Sequence, residues 1–266
     1  MLAQGSRGAD VKELQNSLKA LGFNPGPADG MFGPLTTAAV KAFQQKHGLL
    51  VDGIAGPVTQ AKIREAVTVK SLPLAGLTVL LDKGHEGLGK GLDPGAVDGK
   101  NDDDIYTAEA IVVDTLGNIV ADELRAAGAK VIETREGNEQ LTWDRRKQII
   151  ATSGAQVSIS LHTNSGNAKA SGIETFAYTS KKSVLLAACI QGQVILATGA
   201  KNRGAKFANF FMVRVPEKYG MKAVLIEVGF ISNPGEEVRL NDPAYLKRIS
   251  AGIKAGLIAA KNKGSI

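Results

Sequence analysis

The chain has little cysteine, little histidine and no long apolar run, and each shortage removes a class of protein. Its single cysteine, Cys189, permits no intrachain disulfide. That residue lies in the apolar stretch SVLLAACIQGQVIL and reads as a small buried hydrophobe rather than a nucleophile. No apolar run approaches the ~20 residues of a membrane-spanning helix, so no membrane insertion is expected. The opening residues, MLAQGSRGADVKEL, show no charged stretch followed by an apolar one. No secretory signal is visible there, and the cytoplasm is the expected starting place. Basic residues form no run interleaved with aromatics, which argues against a nucleic-acid partner. What is present is ordinary. With 44% apolar and 22% charged residues, 266 positions suffice for one good core, or for a medium core and a small one. The formal charge of +6 favours a polyanionic partner, whether nucleic acid, anionic lipid or anionic cell wall, and does not choose among them.

The first 65 residues contain a repeat. Asp29-Gly30-Met31-Phe32-Gly33-Pro34-Leu35-Thr36 returns 23 positions later as Asp52-Gly53-Ile54-Ala55-Gly56-Pro57-Val58-Thr59, keeping D-G-x-x-G-P-x-T. The glycines supply positive-φ positions, the proline suits a helix start, and the threonine offers an oxygen to free N–H groups. Before the first copy, Val11, Leu14, Leu18 and Leu21 share a helical face, Asp10 with Glu13 reads as a capping box, and Gly22 as a stop. After it, Ala39, Val40 and Phe43 point inward on a helix that stops at Gly48, with His47 expected to meet the last carbonyls. The pattern predicts a small all-α, three-helix domain over residues 1–67. Taken in order, G-x-R-G-x-D-V-K-x-L-Q, A-V-K-x-F-Q and the two repeat copies resemble the peptidoglycan-binding type 1 module of cell-wall hydrolases.

Residues 68–76, TVKSLPLAG, read as a linker, and from Leu77 onward strands alternate with helices. LTVLLD, AKVIETR, QVSISLH, GIETFAY, NFFMVRV and AVLIEVGF stand as strands. Helices are expected from Thr107 to Ala127, over TWDRRKQIIATSG, from Lys182 to Thr198 and from Pro243. Ile111, Val112, Leu116, Ile119, Val120 and Leu124 form the stripe of the first of these. Such alternation makes residues 77–266 an α/β domain, and the short link before GIETFAY makes its sheet mixed rather than wholly parallel. In VSISLHTNS, Val157, Ile159 and Leu161 alternate with Ser158 and Ser160, the pattern of a strand with one buried face.

In such sheets the active residues sit just beyond strand ends. The first strand ends LLDKGHEG, which places His85 in a glycine-flanked turn, and His162 closes the strand SISLH. Glu227 lies between apolar neighbours in AVLIEVGF, where an unpaired carboxylate is costly. A lone histidine closing a strand needs only a hydrogen bond. Two histidines and an apolar-flanked glutamate, all at strand ends, are harder to explain that way. Two histidines and a carboxylate with an open position make a catalytic zinc arrangement, and a carboxyl base commonly stands beside it. No short ligand motif links these residues, so spacing alone leaves both readings open.

Residues 77–260 are similar to the zinc-dependent N-acetylmuramoyl-L-alanine amidases of the amidase_3 family. The matching segments are D-x-G-H-x-G at 82–87, D-P-G-A at 93–96, G-A-K-V-x-x-T-R at 128–135, S-L-H-T-N at 160–164, R-G at 203–204 and E-V-G-F-I-S-N-P at 227–234. The resemblance implies one Zn²⁺ per chain held by His85, Glu109 and His162, with Glu227 as the catalytic residue. It further implies a peptidoglycan hydrolase that cuts between N-acetylmuramic acid and the L-alanine of the stem peptide. The basic charge suits an anionic wall, and no obligate protein partner is evident. Lack of a leader fits an endolysin or a mother-cell lysin, released through a pore or by lysis of the cell.

Three positions depart from the family pattern. Glu109-Ala-Ile-Val-Val-Asp114 replaces E-x-x-x-N-L, and the transfer to Glu109 rests on its lying 19 residues before Gly128. Its rivals Asp102, Asp103 and Asp104 read as solvated loop acids. Lys83 stands where the family has proline and puts a cation two residues from His85, within reach of substrate. Glu86 replaces a common glycine and reads either as a partner to a metal ligand or as an exposed acid. Two other functions fit the same residues: a zinc peptidase acting within the stem peptide, and a wall-binding protein without catalysis. Product analysis separates the first, and turnover with bound zinc removes the second.

Overall fold

The computed structural model describes residues 1–98 and 107–266. Asp102, Asp103 and Asp104 therefore lie outside the described residues. The chain forms two compact units, Met1–Ala75 and Gly76–Ile266.

The first unit holds α1 (Ala9–Ala20), α2 (Pro34–Lys46) and α3 (Pro57–Ser71). Val11, Leu14 and Leu18 of α1 pack with Val40 and Phe43 of α2, Ile63 of α3, and Phe32 and Ala55 from the two repeat turns. Both repeat prolines start their helices, behind Gly33 and Gly56. Gly30 and Gly53 take positive φ, 79° and 76°, which is why glycine recurs there. The repeat also has a partner that its own spacing does not reveal. Buried Gln15 donates to Asp29 Oδ1, the Met31 carbonyl and Thr36 Oγ1, and accepts from the Gly30 N–H. Gln44 does the same with Asp52, Ile54, Thr59 and Gly53. Each threonine thus binds a glutamine side chain rather than capping its helix. The capping box at Asp10 is absent as well: Gly8 is the N-cap, and Asp10 sits in the first turn, where its charge suits the helix dipole. His47 meets the last carbonyls of α2 through its backbone N–H, while its ring lies 4.3 Å from that of Phe43. The stretch expected as linker is helical through Ser71, because nothing before Pro73 breaks the helix and Pro73 turns Leu72 to extended backbone.

The second unit is a mixed, twisted sheet flanked by helices. Its strands are β1 (Thr78–Lys83), β4 (Lys130–Glu133), β5 (Val157–Asn164), β6 (Ile173–Ala177), β7 (Asn202–Phe207) and β8 (Lys222–Phe230), in the order β4-β1-β5-β8-β6-β7. A small antiparallel pair, β2 (Val97–Asp98) and β3 (Thr107–Ala108), stands apart from it. Within the main sheet only the β6–β8 pairing is antiparallel. The helices are α4 (Glu109–Ala126), α5 (Trp143–Thr152), α6 (Lys181–Thr198), α7 (Phe211–Lys218), α8 (Pro234–Leu240) and α9 (Pro243–Asn262). Side chains alternate across β1: Lys83 lies against α4, whereas Asp82 meets Arg146 of α5. On the α4 side, α6 and α9 pack so closely that a Cβ on Gly252 or Gly256 would stand 2.6 or 2.5 Å from the α6 backbone. On the other side, Ile150 of α5 and Met212 and Val215 of α7 pack with Leu80 of β1.

Three expectations fail here for identifiable reasons. NFFMVRV is helix α7, not a strand: Met212, Val213, Val215 and Pro216 are its buried residues, a helical spacing. The strand in this region is the preceding NRGAKF, an exposed edge paired only with β6, so it lacks the apolar alternation that would mark it. β5 is buried on both faces because it is central, and Ser160 bonds to buried Asp82 rather than facing solvent. In α4, Ile111 lies off the packed stripe and is 41% exposed.

Candidate metal centre and active site

β1, β5 and β8 run parallel and end side by side, so the residues at and just beyond their ends converge. His162 is the register partner of Glu227 across β5 and β8. His85 comes just after β1 in left-handed backbone, φ 61°, the one such non-glycine among the described residues. Two buried arginines hold that turn. Arg135 donates to the carbonyls of Lys83 and Gly84, both at 3.1 Å. Arg146 pairs with buried Asp82 and donates to the His85 carbonyl at 2.7 Å. Burial alone would raise the Asp82 pKa, but the Arg146 charge and the Ser160 and Thr134 hydroxyls hold it below the usual range.

Glu109 opens α4 and is buried between the two histidines. Its Oε2 lies 3.1 Å from His85 Nε2, and its Oε1 lies 2.8 Å from His162 Nδ1. The Thr163 N–H also donates to Oε1, and the Ala96 N–H to Oε2. Burial raises the Glu109 pKa, yet the hydrogen bonds and charges of His162 and His85 outweigh it and leave the carboxyl well below its usual range. On its far side, His85 Nδ1 meets Asp93 Oδ2 at 2.8 Å. Desolvation opposes charge on His85, but Glu109 and Asp93 overcome it and raise the pKa to about 9. Glu227 differs. Its Oε2 is sealed from solvent with no hydrogen-bond partner among the described residues. Burial therefore raises its pKa to about 7, partly opposed by the charge of His162.

One donor atom each from His85, Glu109 and His162 lies within 4.8 Å of the others, as a single cation requires. The donor set, two imidazoles and a carboxylate, is that of a hydrolytic metal site, and Asp93 behind His85 is the carboxylate partner such ligands commonly have. Space around the donors is kept by glycine. A Cβ on Gly84 would stand 2.5 Å from the His162 ring, and one on Gly95 would stand 2.6 Å from His85 and 2.7 Å from Glu109. The cluster opens into a cleft of about 410 Å³ on the α5 and α7 side of the sheet, with Glu227 in its wall.

Sequence and structure agree on the convergence of His85, Glu109, His162 and Glu227, and disagree on Lys83. Its ammonium is buried on the α4 side, 2.7 Å from Glu133 and 3.5 Å from Asp114, and is turned away from the cleft. Glu86 serves the loops: it accepts from the backbone N–H groups of Asp93 and Leu141. Sequence reasoning missed Asp93, Arg146 and Trp143. Asp93 was visible in D-P-G-A, and Trp143 is the chain's one tryptophan, placed at a helix start. Arg146 gave no signal, because only the fold brings it beneath Asp82.

A His-His-Glu cluster in a cleft, beside a second glutamate whose Oε2 has no hydrogen-bond partner among the described residues, is the layout of a metal-dependent hydrolase. Comparison fixes the family. Residues 79–259 match Amidase_3, N-acetylmuramoyl-L-alanine amidase, and the chain belongs to that family. Residues 7–63 match a peptidoglycan binding domain, PG_binding_1. The germination-specific N-acetylmuramoyl-L-alanine amidase of Bacillus subtilis is 32% identical over 204 residues, covering 71% of this chain and 81% of that protein. Among solved structures, the CwlD amidase of Clostridioides difficile, in complex with the GerS lipoprotein, is 26% identical with a TM-score of 0.64, covering 71% of this chain and 100% of that one. The catalytic domain of an endolysin targeting Clostridia difficile is 26% identical with a TM-score of 0.55, covering 69% of this chain and 97% of that one. Among the described residues no helix is long and apolar enough to cross a membrane.

Proposed function

We infer that this enzyme cleaves the amide between N-acetylmuramic acid and the L-alanine of the peptidoglycan stem peptide. His85, Glu109 and His162 hold one Zn²⁺ per chain, and Glu227 is the general base. The observation that carries this reading is the contrast between the two glutamates. Glu109 is saturated with donors and stays ionised, as a ligand must. The buried Oε2 of Glu227 has no donor among the described residues, and its proton affinity is near neutral, as proton transfer requires.

Bound at the cluster, zinc supplies Lewis-acid chemistry, acidifying water and polarising a carbonyl. The remaining work falls to the protein. The Glu227 carboxylate, in the cleft wall, takes the proton of the attacking water and returns it to the departing alanine amine, so the carboxylate is regenerated. Asp93 holds the Nδ1 side of His85 and leaves Nε2 for the metal. Arg135 and Arg146 keep His85 in its left-handed turn. The N-terminal unit, whose last helix α3 ends at Ser71, acts as a wall-binding module that raises the local concentration of the catalytic unit at the polymer, with residues 72–76 as the connection. We place the enzyme among lysins that reach the wall through a pore or by lysis of the producing cell, a reading supported by its likeness to an endolysin catalytic domain.

Mass spectrometry of digested peptidoglycan tests the bond. The expected products are stem peptides with a free L-alanine N-terminus and intact muramoyl glycan, lost with chelator and restored by zinc. Cuts within the stem peptide would replace this reading with a peptidase.

A further inference from the structure

The cleft beside the two histidines has an aromatic wall. Trp143 opens α5, and Phe210 and Phe211 stand at the start of α7. Trp143 is 63% exposed, although a tryptophan side chain gains more than most from burial. It is nevertheless braced. Its ring centroid lies 4.7 Å from that of Phe211, with the planes at 51°, and the Arg146 guanidinium carbon lies 5.8 Å from its ring. Arg146 is fixed in turn by Asp82 and the His85 carbonyl, so the indole is tied to the turn that carries a metal ligand. Phe210, 44% exposed, packs edge-on against Phe176 at 5.1 Å and continues the wall. A braced, exposed aromatic surface beside a reaction centre is shaped to hold a ligand.

Under the amidase reading, on which this inference rests, the substrate carries a sugar on one side of the scissile amide and a peptide on the other. The peptide begins with alanine, which offers only a methyl group to an aromatic plate. A pyranose ring offers a whole face of C–H groups, which lies flat on an indole. We propose that Trp143, backed by Phe211, is the platform on which the muramoyl sugar stacks. Trp143 is then a specificity residue for the glycan side of the bond. The sugar ring is unchanged in the reaction, so the contact acts on binding more than on the barrier.

Because the chain has one tryptophan, its emission reads this contact directly. Full-length, zinc-loaded Glu227→Gln protein is titrated with N-acetylmuramoyl-L-alanyl-D-isoglutamine, with N-acetylmuramic acid and with L-alanyl-D-isoglutamine. Emission should shift saturably with both sugar-bearing probes and not with the dipeptide. In the active enzyme, Trp143→Ala should raise KM for a muramoyl substrate about tenfold and change kcat by less than about twofold, with Trp143→Phe recovering most of the loss. A shift produced by the dipeptide alone, no shift with either sugar, or an unchanged KM in Trp143→Ala would overturn the platform. Wild-type protein that answers the sugar probes but never cleaves a muramoyl amide would uphold the platform and remove the amidase reading instead.

Discussion

Glu109 and Glu227 face the same two histidines and are driven in opposite directions. Glu109 gains donors that outweigh its burial, whereas the buried Oε2 of Glu227 has none among the described residues. A base works only when deprotonated, so with a Glu227 pKa raised to about 7, kcat/KM should fall as pH drops below that value. A cation at the cluster favours the carboxylate and moves the limb to lower pH, never to higher. A pH–rate profile whose acid limb persists unchanged in Glu227→Gln would remove Glu227 from this role. His85 makes a second, independent prediction. Its pKa is raised to about 9, so it carries a proton at pH 7 in the metal-free protein, and a metal ion must displace it. Calorimetry at pH 7 in buffers of different ionisation heat should therefore show about one proton released per zinc bound. Release near zero would mean that His85 is not a ligand.

Elements, not single residues, put these groups together. Parallel β1, β5 and β8 end at one edge, and the helix after β3 delivers Glu109 there from its first position. Asp103→Ala and Asp104→Ala should leave zinc retention intact while Glu109→Ala weakens it strongly; the reverse pattern would show that a different acid is the ligand. The support beneath β1 is as specific. Arg146→Ala leaves Asp82 buried without its cation and should destabilise the catalytic unit by about 3–5 kcal/mol, read by denaturant unfolding. How legible each part is in sequence depends on the reach of its cause. His85, His162 and Glu227 are visible because histidine is scarce and a carboxylate among apolar residues is out of place. The helix α7 is not, since Phe211, Val213 and Val215 alternate like a strand, and only packing against β5 and β8 selects the helical face. β7 is invisible for the opposite reason: an exposed edge needs no apolar face. Gln15 and Gln44 hide in a similar way, being polar residues buried solely because each fills the hollow of a repeat turn lying 14 or more and 8 or more positions further on.

The whole molecule joins a wall-binding module to a catalytic unit, and the two contributions should separate. Residues 1–67 alone should pellet with insoluble peptidoglycan, and residues 74–266 should still cleave soluble muropeptides; equal wall binding with and without the module would make it a structural appendage. Within the catalytic unit we propose a division of labour in which three residues hold a metal and one moves a proton. Zinc content and turnover measured together on full-length Glu227→Gln and His162→Ala test it most directly. Glu227→Gln should keep about one zinc per chain and lose about 10²–10⁴-fold in kcat. His162→Ala should lose metal and activity together while remaining folded. A Glu227→Gln enzyme that has lost its zinc, or that turns over at the wild-type rate, would contradict the account.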